Sequence, residues 1–267
     1  MNYRIFVPVR LGSSRLENKP LIEINGKTVI QRCLEQCPTR PILVCPEADA
    51  PALINGIDKT IGFDLVCNRP QDEKYIHCGT DRIAMAVERY PNLMEGVDIA
   101  INLQGDNVMV PQGAFNRLVE LMESVVDPFD RMKELMYIAN ADDMGLGLND
   151  KIGTLYVDCF SPSHVCAIRG KGPRMIYFCR EWPKNVNIGY RHVGIYAYNR
   201  WTLRTFLKME PVLIEAEEKL EQLRWVANGL PIYGAEAGMS LGSTQPDYEW
   251  VDINTMMDVE YARKVLK

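Results

Sequence analysis

Apolar residues follow two alternating patterns along this chain. Near-continuous runs at Ile5–Val9, Ile42–Cys45, Asp64–Cys67 and Asp98–Leu103 alternate with stretches in which they recur every three or four residues, at Thr28–Gln36, Asp49–Ile54, Asp81–Arg89 and Gly113–Val125. Strands buried on both faces produce the first pattern and amphipathic helices the second. The alternation therefore predicts an α/β fold with a central, mostly parallel sheet flanked by helices. The second half is less regular. Residues 127–151 read as a helix and a loop around Met144-Gly145-Leu146-Gly147, and strands are expected at Gly153–Val157, Val165–Ile168, Met175–Phe178 and Val193–Tyr198. A helix is expected to start near Ile214 and end at Gly229, with Leu213, Ala216, Leu220, Leu223 and Ala227 at helical spacing.

In a parallel sheet, ligands bind where the loops leave the carboxyl ends of the strands, which directs attention to residues 10–20, 77–82 and 104–107. Composition narrows the ligand. With 267 residues and 47% hydrophobic content, the chain can bury one large α/β core or two smaller ones, and no Pro/Ser-rich linker or charge block divides it. The net charge of −5, from 30 basic and 35 acidic residues, argues against a nucleic-acid surface. No apolar run approaches the ~18 residues of a membrane helix and the N-terminus lacks a signal-like stretch, so a soluble, cytoplasmic protein is expected. The eight cysteines are scattered through apolar runs and lack paired ligand spacing, so they read as reduced thiols rather than a metal site.

The loop after the first run is the most telling segment. Arg10, Arg15 and Lys19 lie within ten positions around Gly12-Ser13-Ser14. Three cations this close favour an anion between them, and a glycine-serine segment offers it backbone N–H groups, so the loop reads as a phosphate cradle. It lacks the Gly-x-Gly-x-x-Gly of dinucleotide-binding dehydrogenases. The run from Asp98 ends in Gln104-Gly105-Asp106, and a second aspartate, Asp252, also follows an apolar segment. Carboxylates at such positions suit a hard divalent cation that is itself held by phosphates.

These segments, read in order, resemble a known family. Val-Pro-x-Arg-Leu-Gly-Ser-Ser-Arg-Leu-x-x-Lys-Pro-Leu at 7–21, Cys-Gly-Thr-Asp-Arg-Ile-Ala at 78–84, Leu-Gln-Gly-Asp at 103–106, Tyr-Phe-x-Arg at 177–180, Arg-His-Val-Gly-Ile-Tyr-Ala-Tyr at 191–198, Leu-Glu-Gln-Leu-Arg at 220–224, Asn-Gly at 228–229 and Val-Asp at 251–252 are similar to the CMP-Kdo synthetases, the 3-deoxy-manno-octulosonate (Kdo) cytidylyltransferases. The resemblance implies one Rossmann-like sugar nucleotidyltransferase domain over 1–267. Its nucleotide-binding part would span about 1–110 and its sugar-binding and dimerisation part about 111–267. It implies a homodimer that couples CTP to an acidic sugar with Mg²⁺ and releases pyrophosphate. Arg15, Lys19, Asp106 and Asp252 would be catalytic, with Asp106 and Asp252 holding the metal. Arg10, Ser13, Arg15, Lys19, Thr80 and Asp81 would bind the nucleotide, and Arg82, Gln104, His192, Tyr196 and Gln222 the sugar.

The chain also departs from the family pattern. Gly105-Asp106-Asn107 stands where Gly-Asp-Glu is usual, Cys45-Pro46-Glu47 follows Val44 in place of Ala-Thr-Asp, and Glu17-Asn18 replaces Pro-Gly. Two other readings follow. One keeps the chemistry and changes the acceptor to 8-amino-Kdo or a sialic-type acid, although Leu11-Gly12-Ser13-Ser14-Arg15 differs from the Gly-Gly-Ser-Lys of the sialic branch. The other is a nucleotide-binding homologue that does not catalyse. Glu221 and Arg224 read as a structural pair one turn apart.

Overall fold

A computed structural model describes residues 1–12, 16–111, 113–124, 152–157, 165–181, 190–236 and 250–266. The expected helix and loop at 127–151 lie outside these residues. The chain divides into two compact units. One comprises Arg4–Glu95, Ile101–Gln112 and Ser243–Lys267, the other Met1–Tyr3, Gly96–Ala100 and Gly113–Gly242.

In the first unit, β1 (Tyr3–Pro8), β4 (Ile42–Pro46), β5 (Asp64–Asn68) and β6 (Ile99–Leu103) form a sheet in the order β5-β4-β1-β6. The β1–β4 and β4–β5 pairings are parallel, with Val7 opposite Leu43 and Cys45 opposite Cys67. All five β6 residues are buried, which accounts for their continuous apolar run. The connections are α1 (Val29–Glu35), α2 (Ala50–Asn55) and α3 (Gly79–Arg89). Thr28 caps α1 by accepting the Gln31 N–H.

The sequence reading omitted a hairpin of β2 (Glu23–Ile24) and β3 (Lys27–Thr28). Asn25 and Gly26 form its two-residue loop with φ of 49° and 78°, the left-handed pair that an Asn-Gly dipeptide adopts readily. It also omitted a ladder in which β7 (Asn107–Met109) pairs antiparallel with β13 (Val251–Asp252), and the following helix α8 (Met256–Val265). Ile24, Val29, Val108, Val251, Ile253, Val259 and Ala262 bury one another in a small core beneath this ladder. The Asn25 amide donates to the Arg263 carbonyl at 2.9 Å, tying the hairpin tip to α8.

In the second unit, β8 (Ile152–Val157), β9 (Cys166–Arg169), β10 (Arg174–Cys179), β11 (Tyr190–Asn199) and β12 (Ile232–Glu236) run in the order β11-β8-β12-β10-β9. Here β8–β12 is parallel, while β11–β8, β10–β12, β9–β10 and β9–β11 are antiparallel. The unit also holds α4 (Ala114–Ser124), and α5 (Arg200–Lys208) follows β11 directly.

The expected helix from Ile214 to Gly229 is instead two, α6 (Leu213–Glu218) and α7 (Gln222–Ala227). Lys219 ends the first with φ 54°, a left-handed conformation that breaks the helical hydrogen-bond ladder. Arg224 forms a two-bond pair with Glu215 at 2.6 and 2.8 Å and lies 4.4 Å from the centre of the Phe206 ring.

Both members of this pair are buried, so removing one leaves a charge without compensation. Glu215→Ala should lower unfolding free energy by about 3–5 kcal/mol. Urea unfolding measures this, and a loss below about 1 kcal/mol, the range of exposed pairs, would show that the pair is not part of the core.

Candidate functional site

All three loops expected from the sequence contribute to a cavity of about 230 Å³ in the first unit. Its first wall continues β1. The Val9 N–H donates to the Val44 carbonyl and the Leu11 N–H to Asp49 Oδ2, which carries Arg10 to the cavity edge. Ser13 and Arg15 lie outside the described residues. The chain returns through Asn18, held at φ 49°, into a short 3₁₀ turn at Lys19–Leu21 with Pro20 buried. That turn places Lys19 Nζ 2.6 Å from Asp106 Oδ2.

The second wall follows β6. A Cβ on Gly105 would lie 3.1 Å from the Pro8 carbonyl oxygen and 3.2 Å from Val9 Cβ, so glycine permits the two loops to close on each other. The Asn107 N–H then donates to the Gln104 carbonyl, tightening the turn that presents Asp106. The third wall is the start of α3, where Cys78 and Gly79 line the cavity and the positive end of the helix dipole favours anions. A Cβ on Gly79 would lie 2.9 Å from Gln104 Oε1, which shows how closely this wall meets the second.

Three cations, Arg10, Lys19 and Arg82, line the cavity together with Gln104 and Asp106. Arg82 is buried and donates through Nη1 to Asn68 Oδ1, and through Nη1 and Nη2 to the two Glu73 oxygens. Thr80 and Asp81 are buried and do not line this cavity. Thr80 Oγ1 accepts from the Asn102 amide, and Asp81 accepts the His77 N–H while its own N–H donates to Cys78 Sγ, so both support the start of α3.

Asp106 and Asp252, 146 positions apart in sequence, meet through the β7–β13 ladder. Asp252 lies opposite Asn107, and the Ile253 N–H donates to the Asp106 carbonyl at 3.0 Å. Asp252 Oδ2 accepts from the Asn254 amide. Among the described residues no cluster of three or more His, Cys, Asp or Glu side chains could hold a metal. Two hard carboxylate donors suit Mg²⁺ only where phosphate and water oxygens complete the shell, and this donor set fits that requirement.

The remaining expected sugar residues, His192, Tyr196 and Gln222, belong to the second unit. All three are buried. His192 packs edge-on against Phe178 at 5.2 Å and beside Tyr196 at 5.3 Å, and Tyr196 stacks on Tyr198. Burial lowers the His192 pKa to about 3, so its imidazole is neutral near pH 7. Gln222 opens α7 and is buried. The sequence reading gave no role to Glu73, nor a role of their own to His77 and Cys78 within the 77–82 loop it singled out. The latter two directly precede a glycine at a helix start, and Glu73 carried no local signal.

A cavity lined by Arg10, Lys19 and Arg82 at strand ends of an α/β fold suits a nucleotidyltransferase, and comparison with known proteins agrees. Residues 5–141 match the family model described as "Cytidylyltransferase". The 3-deoxy-manno-octulosonate cytidylyltransferase of Francisella tularensis is 30% identical over 269 residues, covering 99% of this chain and 98% of the relative. The enzyme of the same name from Parabacteroides distasonis is 29% identical over 272 residues, with 98% and 97% covered. A solved CMP:2-keto-3-deoxy-manno-octonic acid synthetase complexed with CTP is 26% identical with a TM-score of 0.64, covering 100% of this chain and 98% of that one. The chain belongs to the 3-deoxy-manno-octulosonate cytidylyltransferase (CMP-Kdo synthetase) family. A 4-diphosphocytidyl-2C-methyl-D-erythritol synthase from Anaerococcus prevotii, 10% identical with a TM-score of 0.56 over 98% of both chains, shares the fold.

The depressed pKa of His192 has a pH signature. The unfolded chain takes up this proton as pH falls through the ordinary histidine range, while the native state resists until about 3. The corresponding stability is complete above that range and is lost progressively as pH falls towards about 3. Between pH 7 and 5, wild type should therefore lose stability more steeply than His192→Gln, approaching a one-proton difference in slope. Parallel slopes in denaturant titrations would show that His192 is not buried neutral.

Proposed function

We propose that this protein transfers CMP from CTP to 3-deoxy-manno-octulosonate, giving CMP-Kdo and pyrophosphate. The observation that carries this reading is the cavity in which Arg10, Lys19, Arg82, Gln104 and Asp106 converge, in a chain aligned over nearly its whole length with cytidylyltransferases of that name. The anomeric oxygen of the sugar forms a bond to the α-phosphorus of CTP. The bond from that phosphorus to the pyrophosphate oxygen breaks, and the hydroxyl proton is released.

Such a displacement asks the protein for alignment and charge neutralisation rather than a nucleophile. Arg10, Lys19 and the start of α3 hold the triphosphate, joined by Ser13 and Arg15 of the same loop. Asp106 and Asp252 would hold Mg²⁺, which when bound withdraws negative charge from the phosphates and lowers the pKa of a coordinated hydroxyl. The ion pair with Asp106 keeps Lys19 beside the phosphate site before the nucleotide arrives. Arg82 faces the sugar carboxylate because a guanidinium matches its two oxygens, and Gln104, which lines the same cavity, supplies a hydrogen bond to the rest of the acceptor.

Pyrophosphate release with CTP, Mg²⁺ and Kdo tests the reading directly, with UTP, 8-amino-Kdo and a sialic acid as alternatives. Turnover should require CTP and favour Kdo. Absence of release with every acid would overturn the assignment. Asp106→Asn and Asp252→Asn should each abolish turnover, and the double variant should cost little more, because groups acting through one ion are not additive. Mg²⁺ should raise the melting temperature of the wild-type CTP complex and leave that of either variant unchanged. A variant that keeps both turnover and the Mg²⁺ response would remove its aspartate from the metal site.

A further inference from the structure

Arg82 is held more elaborately than a wall residue requires. A guanidinium has five N–H donors in two forked edges, one across its end (Nη1 and Nη2) and one along its side (Nε and Nη2). Glu73 occupies the end edge with bonds of 2.8 and 3.0 Å, and Asn68 Oδ1 takes the second Nη1 hydrogen at 2.9 Å. These three bonds leave one fork, the Nε–H and the remaining Nη2–H. Among the described residues neither makes a hydrogen bond, and Arg82 lines the cavity.

The segment carrying Glu73 is fixed as well. Residues Pro70–Tyr75 form a 3₁₀ turn in which Asp72, the neighbour of Glu73, pairs through two bonds with Arg89. Arg82 and Arg89 are seven positions apart on α3, two helical turns, and thus share one face of that helix. Adjacent carboxylates of one turn therefore grip two arginines of one helix. The Asp72–Arg89 grip lies away from the cavity lining and anchors the turn, while the Glu73–Arg82 grip sets the orientation of a guanidinium at the cavity wall.

We propose that Glu73, with Asn68, is a positioning residue that fixes Arg82 so that its side edge receives the carboxylate of the acceptor in a two-bond fork. This deepens the proposed function and rests on Arg82 as the acceptor's carboxylate partner. A guanidinium held on its far edge loses little rotational freedom when the second carboxylate binds. A freely rotating arginine would bear that cost at each encounter.

The test measures steady-state cytidylyl transfer to Kdo for wild type, Glu73→Gln, Arg82→Lys and the double variant, with calorimetric Kdo affinity in the presence of CTP as a second readout. Glutamine keeps the size of Glu73 but turns one accepting oxygen into a donor facing Nη, and lysine keeps the charge of Arg82 but has no fork. Each single variant should raise the KM for Kdo about tenfold or more, with the KM for CTP within about twofold. The double variant should be no worse than the poorer single one, because Glu73 acts through Arg82.

An unchanged KM for Kdo in Glu73→Gln would overturn the proposal. So would a lowered KM, which would make Glu73 a competitor of the substrate. Additive losses, or an equal rise in the KM for CTP, would reduce Glu73 to a structural residue and overturn it too. Kdo binding that depends on Glu73 in a protein that forms no CMP-Kdo would overturn the reaction alone. Transfer with Glu73-independent Kdo affinity would overturn the fork alone.

Discussion

Two residues of β13 paired with β7 convert a separation of 146 positions into adjacency, and the metal-binding role proposed for Asp252 depends on that pairing. So short a ladder has little stability of its own, because a few backbone hydrogen bonds each contribute only about 1 kcal/mol net. It persists because Val251 and Ile253 are buried with Ile24, Val29, Val108, Val259 and Ala262. Gln36 at the end of α1 adds two bonds, donating to the Asn107 carbonyl at 2.9 Å and accepting from the Val110 N–H at 2.5 Å. The placement of one carboxylate thus rests on a hydrophobic cluster drawn from both ends of the chain.

The same dependence explains which parts of the fold could be read from the sequence. The boundaries of β1, β4 and β6 match the apolar runs to within two residues because these strands are largely buried, and those of β5, an edge strand with Asp64 and Leu65 exposed, match as closely. Strands β2, β3, β7 and β13 have two or three residues each, too few for any period to appear. The β2–β3 turn did carry a signal, Asn25-Gly26, and α8 had its capping box of Thr255 and Asp258, both legible by their turn and cap chemistry. The break at Lys219 had no such mark, since lysine rarely adopts a left-handed conformation.

The site was legible to a similar depth. Arg10, Arg82, Gln104 and Asp106 line one cavity because each follows a recognisable strand or opens a recognisable helix, and Lys19 joins them from the short 3₁₀ turn that closes the loop after β1. Burial was not legible for Gln222, whose polar side chain gave no sign of the packing around it. Nor was the pairing of charges. Arg82 with Glu73, Arg89 with Asp72 and Arg224 with Glu215 are nine, seventeen and nine positions apart, outside the one-turn spacing that a helical pattern reveals. Each depends on how two elements dock, and a buried arginine selects whichever carboxylate that docking delivers.

Asn107, the clearest departure from the family pattern, has a structural reason of the same kind. It is buried, its Nδ2 donates to the Gln104 carbonyl at 3.2 Å, and its Oδ1 accepts from Trp250 Nε1 at 2.6 Å. An amide can fill both roles at once. A carboxylate here could accept from the indole but would turn a lone pair towards the Gln104 carbonyl, and it would bury a second negative charge next to Asp106. Trp250 immediately precedes β13, so its bond to Asn107 also helps hold Val251 and Asp252 in register. The amide is therefore better explained by this Trp250 contact than by a lost catalytic acid. That weakens the case for a silent homologue, because the feature that prompted it instead supports the placement of Asp252 beside Asp106.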